Sequence, residues 1–404
     1  MADSRKLPPI WLMGFSNATF GFYGCFAVVT LPSMLAAQGL SGGRIAAITS
    51  LTISPSFMVF LLGPMLDVRL SRRTYALLFS ILAACAAFFT LLDHRDLFVV
   101  EWVTFLGYLA ASLTQSAVGG WMGSLIRKDQ DSALGAWFTV ANIGAGGVMM
   151  LVAGQAVSRL PPYAAGCVVA AMLLLPTLNY LAVPAPGPDR KLARESYSQF
   201  FREVISLVKL RTVQRALLLF LLPSASFALT NVLGGVGPEY GADERLVGLL
   251  AGVGSGLAGI AGSLVLQPLA RKLPLRPLYL AIGIAGALFT LSLLLLPHVS
   301  WAFAIAISGE NFFQALAIAT ATAITFETIG PGHPLAATLF SLLISASCFS
   351  IIYMGFIDAR AYAWHGIVGS FAADAGLSGA VCVALYCTLF RYRGTVAMLE
   401  SNSS

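Results

Sequence analysis

The stretch Gly63-Pro64-Met65-Leu66-Asp67-Val68-Arg69-Leu70-Ser71-Arg72-Arg73 joins two long apolar runs. It places an acid and three arginines in a chain where only 10% of residues are charged and 58% are hydrophobic. An ordinary soluble domain carries about 25% charged residues, and the few charges here fall mostly in the connections between apolar runs. The runs between the connections have the length, about 20 residues, that a helix needs to cross the hydrocarbon of a bilayer. One aqueous core cannot hide that much apolar surface, and the solvent for most of this chain is lipid.

Outward from this loop, the apolar runs define spans at 10–36, 45–66, 75–92, 98–125, 133–157 and 163–183. Six more follow at 214–237, 246–270, 277–296, 301–327, 336–357 and 367–390. The expected fold is therefore an all-α membrane protein of twelve transmembrane helices in two six-helix halves. Its parts are a bundle over 1–183, a linker over 184–213, and a second bundle with a tail over 214–404.

Short loops on the cytoplasmic side of a membrane are enriched in Lys and Arg. With both termini cytoplasmic, all of the 24 Lys and Arg except Arg44, Arg95, Arg159, Arg245 and Arg360 fall inside. Arg5, Lys6, Arg127, Lys128, Arg190, Lys191, Arg194, Arg271, Lys272, Arg276, Arg391 and Arg393 are among those inside. An odd number of helices would strand the basic loops of one half on the wrong side. This asymmetry also accounts for the net charge of +6 without any nucleic-acid partner. The expected location is the inner, cytoplasmic membrane, with no cleaved leader.

The linker starts with Pro184-Ala185-Pro186-Gly187-Pro188, which breaks helices, and becomes amphipathic over Ser196–Leu210. Phe200, Phe201, Val204, Ile205 and Val208 recur there at helical spacing opposite Arg202 and Lys209, the pattern of a helix lying on a membrane surface. Cys25, Cys85, Cys167, Cys348, Cys382 and Cys387 all lie in apolar runs without paired spacing and read as reduced packing residues. Gly144, Gly146, Gly147, Gly248, Gly252, Gly254, Gly256, Gly259 and Gly262 would let helices approach closely.

The loop from Gly63 to Arg73 resembles the signature loop of the major facilitator superfamily, in which a Gly is followed four residues on by an Asp, then an Arg and a terminal basic pair. The match is carried by Gly63, Asp67, Arg69, Arg72 and Arg73, while Ser71 stands where the family usually has Gly. Gly63 permits close helix approach, and Asp67 at a helix end can pair with an Arg or with the positive N-terminus of a neighbouring helix. These five residues are the expected conformational latch. The corresponding connection of the second half, 262–276, keeps Arg271, Lys272 and Arg276 but has no acid, as a degenerate repeat would.

A charged side chain in mid-membrane costs roughly 2.5–3.5 kcal/mol on insertion scales, so a mid-span acid is a functional candidate. Glu310, in Ser308-Gly309-Glu310-Asn311-Phe312-Phe313-Gln314, is that acid. It reads either as a proton-coupling residue or as a polar clasp between helices. Glu101, Glu327 and Asp358 read as acids at span ends. Asn17, Thr19 and Tyr23 interrupt the first span with polarity, and Ser224, Ser226, Thr230 and Asn231 do the same in the seventh. Equivalent helices of two repeats would both line a central cavity, with Thr114, Gln115, Asn142, Asn311 and Gln314 as further candidates.

Beyond the signature loop, the chain resembles AmpG-type muropeptide permeases and their relatives, including acetyl-coenzyme A transporters and some siderophore-uptake permeases. The resemblance lies in Ser308–Phe312 and, more weakly, in Ala336-Ala337-Thr338-Leu339-Phe340-Ser341-Leu342-Leu343. It implies secondary active transport of a small polar solute by alternating access: proton-coupled symport of a muropeptide-like or siderophore-like compound by a monomeric permease. Those permeases carry two aspartates just after a Gln in the fourth helix. Here Gln115 is followed by Ser116 and Ala117, and Gly120 occupies the second place. Export of a small amphiphile, or lipid flipping on the same fold, is the alternative reading. An enzyme is not expected: His94, His298, His333 and His365 all sit at span ends, and there is no phosphate-binding loop, metal-ligand spacing or cofactor motif.

Overall fold

The computed structural model describes residues 7–185, 197–233 and 235–389, with the side chains of 197–201, 231 and 232 excepted. Arg5, Lys6, Arg190, Lys191, Arg194, Arg391, Arg393 and the end of the Pro-rich run lie outside the described residues.

Lipid offers a backbone no hydrogen bonds, so spanning segments must satisfy their own. The described residues accordingly form helices, ten of which are long and apolar enough to cross a membrane. The first six are Ile10–Ala37, Gly42–Leu61, Arg72–Leu92, Leu97–Leu125, Lys128–Arg159 and Pro162–Leu181. The eighth, ninth and tenth are Glu244–Ala270, Leu275–Leu293 and Ser300–Ile329. The last, Ala336–Leu389, is 54 residues long, about 80 Å at 1.5 Å per residue and far more than one crossing needs. Its backbone leaves helical geometry at His365 (φ −137°, ψ 23°) and Gly366 (φ 60°, ψ −154°), which divides it into the eleventh and twelfth helices.

The seventh crossing departs from the expected continuous helix over 214–237. It is broken into Arg211–Leu221 and Thr230–Leu233. Pro223 lies just past the first piece, lacks an amide hydrogen and ends the ladder. Between the pieces, Ala225 (φ 62°) and Phe227 (φ 48°) take left-handed conformations that cost a side-chain-bearing residue energy. With this broken segment and the divided last run, the described residues provide twelve crossings, six before the central linker and six after it. Tyr197–Val208 is helical and exposes Ile205 and Val208.

The residues fall into two compact units, Met1–Gln214 with Thr325–Ser345, and Arg215–Ile324 with Ala346–Ser404. The first is cored by Phe22, Tyr23, Phe26, Leu31, Met149 and Leu173, the second by Leu229, Tyr240, Phe303, Ile307, Ile367 and Phe371. Around both, large apolar side chains such as Leu181, Leu295, Phe356 and Trp364 are more than two-thirds exposed, a surface stable only against lipid. Gly144, Gly147, Gly248 and Gly256, read as helix-contact residues, face open space, whereas Gly262 packs on the Phe312 backbone. All six cysteines are unpaired.

Candidate functional site

Two polar constellations stand out, one in each unit. The first is built on Asp67. Its carboxylate is fully buried and accepts from Arg72 Nε at 2.7 Å. It also accepts from the amides of Ala337 (3.2 Å) and Thr338 (2.8 Å) and from Thr338 Oγ1 (2.7 Å). The eleventh helix begins at Ala336, so the acid sits on its N-terminus, where unpaired amides and the helix dipole favour an anion. Arg72 is shared further: Nη1 donates to Ser124 Oγ (3.2 Å), and Nη2 donates to the carbonyls of His333 (3.1 Å) and Pro334 (2.7 Å).

The small residues around this junction have a steric reason. A Cβ on Gly63 would lie 1.9 Å from Ser341 Oγ, and one on Gly120 would lie 2.4 Å from the Ala337 backbone. No side chain larger than that of glycine fits at Gly120 beneath this helix start. Ser71 accepts from the Thr74 amide at 3.1 Å and so caps the third helix. The exposed Arg69 takes a left-handed conformation (φ 68°). Arg73 is half-buried beside a cavity of about 390 Å³ that Asp67, Arg72, Trp121 and His333 also line. His333 Nδ1 accepts from the Leu335 amide at 3.1 Å, and burial pushes its imidazole below the ordinary value, with Asp67 opposing and Arg72 reinforcing that shift.

The sequence candidates of the first half are dispersed through its bundle. Asn17 sits at a break between Ile10–Phe15 and Ala18–Cys25. Its Nδ2 donates to the Phe138 carbonyl at 3.4 Å, while its Oδ1 is buried without a partner. Tyr23 is fully buried and donates to the Thr104 carbonyl at 3.3 Å, and Thr19 donates to the Leu173 carbonyl at 3.1 Å. Gln115 and Asn142 are half-buried.

The second constellation gathers about the break in the seventh helix. Gln314 Nε2 donates to the Phe227 carbonyl (3.1 Å) and to Thr230 Oγ1 (2.6 Å), which itself donates to that carbonyl at 3.0 Å, so the three groups close a small network at the break. The Phe227 ring stacks on Phe313, centroids 6.0 Å apart. Asn311 turns to its own helix, donating to the Ile307 carbonyl at 2.7 Å. The side chain of Asn231 lies outside the described residues. Ser226 Oγ is buried without a partner.

Glu310 is fully buried one turn from Gln314. Thr290 of the ninth helix donates to its Oε1, and Oε2 has no partner. Two further acids join it. The sequence places Asp358 at a span end, but the eleventh helix continues to the turn at His365, and Asp358 is fully buried with both oxygens unpartnered. This corrects the expectation. Asp374, which sequence reasoning passed over, is 3% exposed in the twelfth helix, also with an unpartnered oxygen. Asp374 lies eight residues into the span read as 367–390, and the rule that singled out Glu310 applies to it equally. Among the described residues, no group of three His, Cys, Asp or Glu is placed to hold a metal ion.

No protein-family model matches the chain, nor does any curated protein sequence. Solved structures do match in fold. The chain is similar to the human organic anion transporter MFSD10 (TETRAN), with a TM-score of 0.70, 14% identity, and 93% of this chain and 98% of that one covered. It is similar to the proton:xylose symporter XylE bound to 6-bromo-6-deoxy-D-glucose, at 0.67, 13% identity, and 94% and 95% coverage. It is also similar to a bacterial homologue of the iron transporter ferroportin, solved in an outward-facing state, at 0.60, 15% identity, and 93% and 98% coverage. The chain thus has the major facilitator fold.

Proposed function

We propose that this protein is a secondary transporter that moves a small polar solute across the inner membrane by alternating access, with Glu310 coupling uptake to protons. The observation that carries the reading is a fully buried carboxyl group, one oxygen unpartnered, one helical turn from the side chain that holds a broken crossing together. Interrupted helices expose backbone groups that bind solutes and ions in transporters. Among the described residues an ionised Glu310 has no basic partner, and taking up a proton removes its desolvation cost. A fold shared with a proton:xylose symporter supports the class of mechanism.

In this reading Gly63, Asp67, Arg69, Arg72 and Arg73 form the latch of one conformational state. Asn17, Tyr23, Gln115, Asn142, Asn231, Asn311 and Gln314 provide polar contacts for the solute. The chain works as a monomer with both termini in the cytoplasm, and its substrate class, from the sequence resemblance, is a muropeptide-like or siderophore-like compound.

Proteoliposome uptake of labelled anhydro-muropeptide and of iron-siderophores tests this, with and without an inward proton gradient, in wild type and Glu310→Gln. The expected result is gradient-driven uptake of one solute by wild type, lost in the variant while solute binding persists. Undiminished gradient-driven uptake by Glu310→Gln would refute the coupling role.

A further inference from the structure

Glu310, Asp358 and Asp374 come from three helices, yet they converge. Asp358 lies seven residues before His365 and Asp374 eight after Gly366, so each is about 10–12 Å from the turn that joins their helices. Glu310 lies ten residues into the tenth helix, about 15 Å from its start. Asp374 acts electrostatically on both Glu310 and Asp358, and Glu310 acts on Asp358. Ser370 Oγ donates to the Asp358 carbonyl at 2.9 Å and ties the twelfth helix to the eleventh at this depth.

The groups facing these carboxyls offer little compensation. The ninth helix contributes the Thr290 hydroxyl to one oxygen of Glu310. The charges acting on the three are one another, and Arg360, two residues beyond Asp358, is exposed and makes no ion pair with it. On the twelfth helix, Ser378 lies one turn from Asp374 on the same face, and its Oγ is buried without a partner. Buried polar atoms in native proteins are almost always satisfied. This many unsatisfied oxygens in one bundle, independently including a hydroxyl, point to a ligand drawn from solvent. Three carboxylates do not all carry charge in one buried patch, because each repels the others and none is offset. Nor are they spaced to ligate a metal ion.

We propose that Glu310, Asp358 and Asp374 form a single proton-sharing site, in which the aspartates exchange with Glu310 the proton that drives transport. The inference rests on the proton-coupled reading of Glu310 and enlarges it from one residue to three. In each exchange the O–H bond of a carboxylic acid breaks as one forms on a neighbouring carboxylate. One negative charge moves the opposite way, and the proton enters from and leaves to water.

The test is infrared spectroscopy of the purified full-length protein in lipid, following the carboxylic-acid C=O stretch across pH in wild type, Glu310→Gln, Asp358→Asn and Asp374→Asn. The expected result is that Asp374→Asn removes part of the band and also displaces the midpoint of what remains by at least about one pH unit, the signature of coupled sites. Glu310→Gln displaces the aspartate component in turn. A purely structural role would alter thermal stability and leave the midpoints in place. Additive band losses with unmoved midpoints, no titrating band in wild type, or removal of the band by sodium at constant pH would each overturn the proposal. Should Asp358→Asn fail to fold, Asp374→Asn and Ser378→Ala carry the test. The spectrum needs no transport, so loss of proton coupling in vesicles and loss of the shared site are separate outcomes.

Discussion

Replacing Asp67 with Asn keeps the shape of the side chain and removes its charge. The carboxylate accepts four hydrogen bonds, from Arg72, Ala337 and twice from Thr338. The amide retains one acceptor oxygen and turns an NH2 toward donors that previously met the other, so two bonds and the ion pair are lost. Hydrogen bonds to a charged group contribute about 1.5–3 kcal/mol each, and breaking a buried pair from one side costs about 3–5 kcal/mol. Arg72 keeps its bonds to Ser124, His333 and Pro334, which argues for the lower figure, about 3 kcal/mol. At 1.36 kcal/mol per factor of ten, the start of the eleventh helix should open roughly a hundredfold more often. Ser341, fully buried against Gly63, reports that opening when changed to Cys. Its labelling by a maleimide follows the open population when reclosing outpaces the reaction. Mass spectrometry of the peptide separates it from the six native cysteines. A labelling rate in Asp67→Asn within a few-fold of that in Ser341→Cys alone would refute the assignment of Asp67 as the residue holding this junction.

Three further expectations follow from the same geometry. Gly120→Ala puts a methyl 2.4 Å from the Ala337 backbone, an overpacking that costs about 1–3 kcal/mol and should lower the thermal midpoint in detergent, whereas Ala117→Gly should not reproduce any effect at the junction. Gln314→Leu removes one of the two side-chain donors of the Phe227 carbonyl, Thr230 Oγ1 being the other, together with the donor to that hydroxyl, a loss of about 0.5–1.5 kcal/mol per hydrogen bond, and amide exchange across 222–230 should rise about tenfold; unchanged exchange would show that the break is held by other contacts. His333 is held below its ordinary value by burial, so the neutral form is the one the fold prefers. Its contribution is present above about pH 6.5, the unfolded value, and is lost as pH falls through the lowered folded value. Protection of the Leu335 amide should therefore weaken on acidification in wild type, and His333→Asn should abolish that pH dependence.

The parts of this fold visible in sequence are those set by lipid. Runs of apolar residues and the basic loops between them follow from bilayer thickness and insertion, and they mark nearly every crossing. The signature loop was legible because its Gly, Asp and Arg each answer a local requirement: close approach, the unpaired amides of a buried helix N-terminus and a buried charge. The break in the seventh helix was visible only as polarity at Ser224, Ser226 and Thr230, although Pro223 was the physical signal. Asp358 was misplaced because a span ending at Ile357 is already long enough to cross. Nothing between Gly355 and Gly366 stops the helix, however, and it runs on to bury the acid. Which polar side chains meet across helices, as Gln314 meets Thr230, depends on helix rotation, which a sequence with weak amphipathicity does not encode.

The turn between the eleventh and twelfth helices has a mechanical consequence. Gly366, at φ 60° and ψ −154°, occupies a region open essentially to glycine alone, and it reverses the chain with scarcely any loop. Two rods joined that tightly behave as one hairpin, so Asp358 and Asp374 travel together through any rearrangement, like teeth on one arm of a pair of tongs. Glu310 stands on the tenth helix, outside that hairpin but within the same compact unit. Whatever motion carries the tenth helix past this hairpin changes the distance from Glu310 to both aspartates at once and leaves theirs to each other fixed.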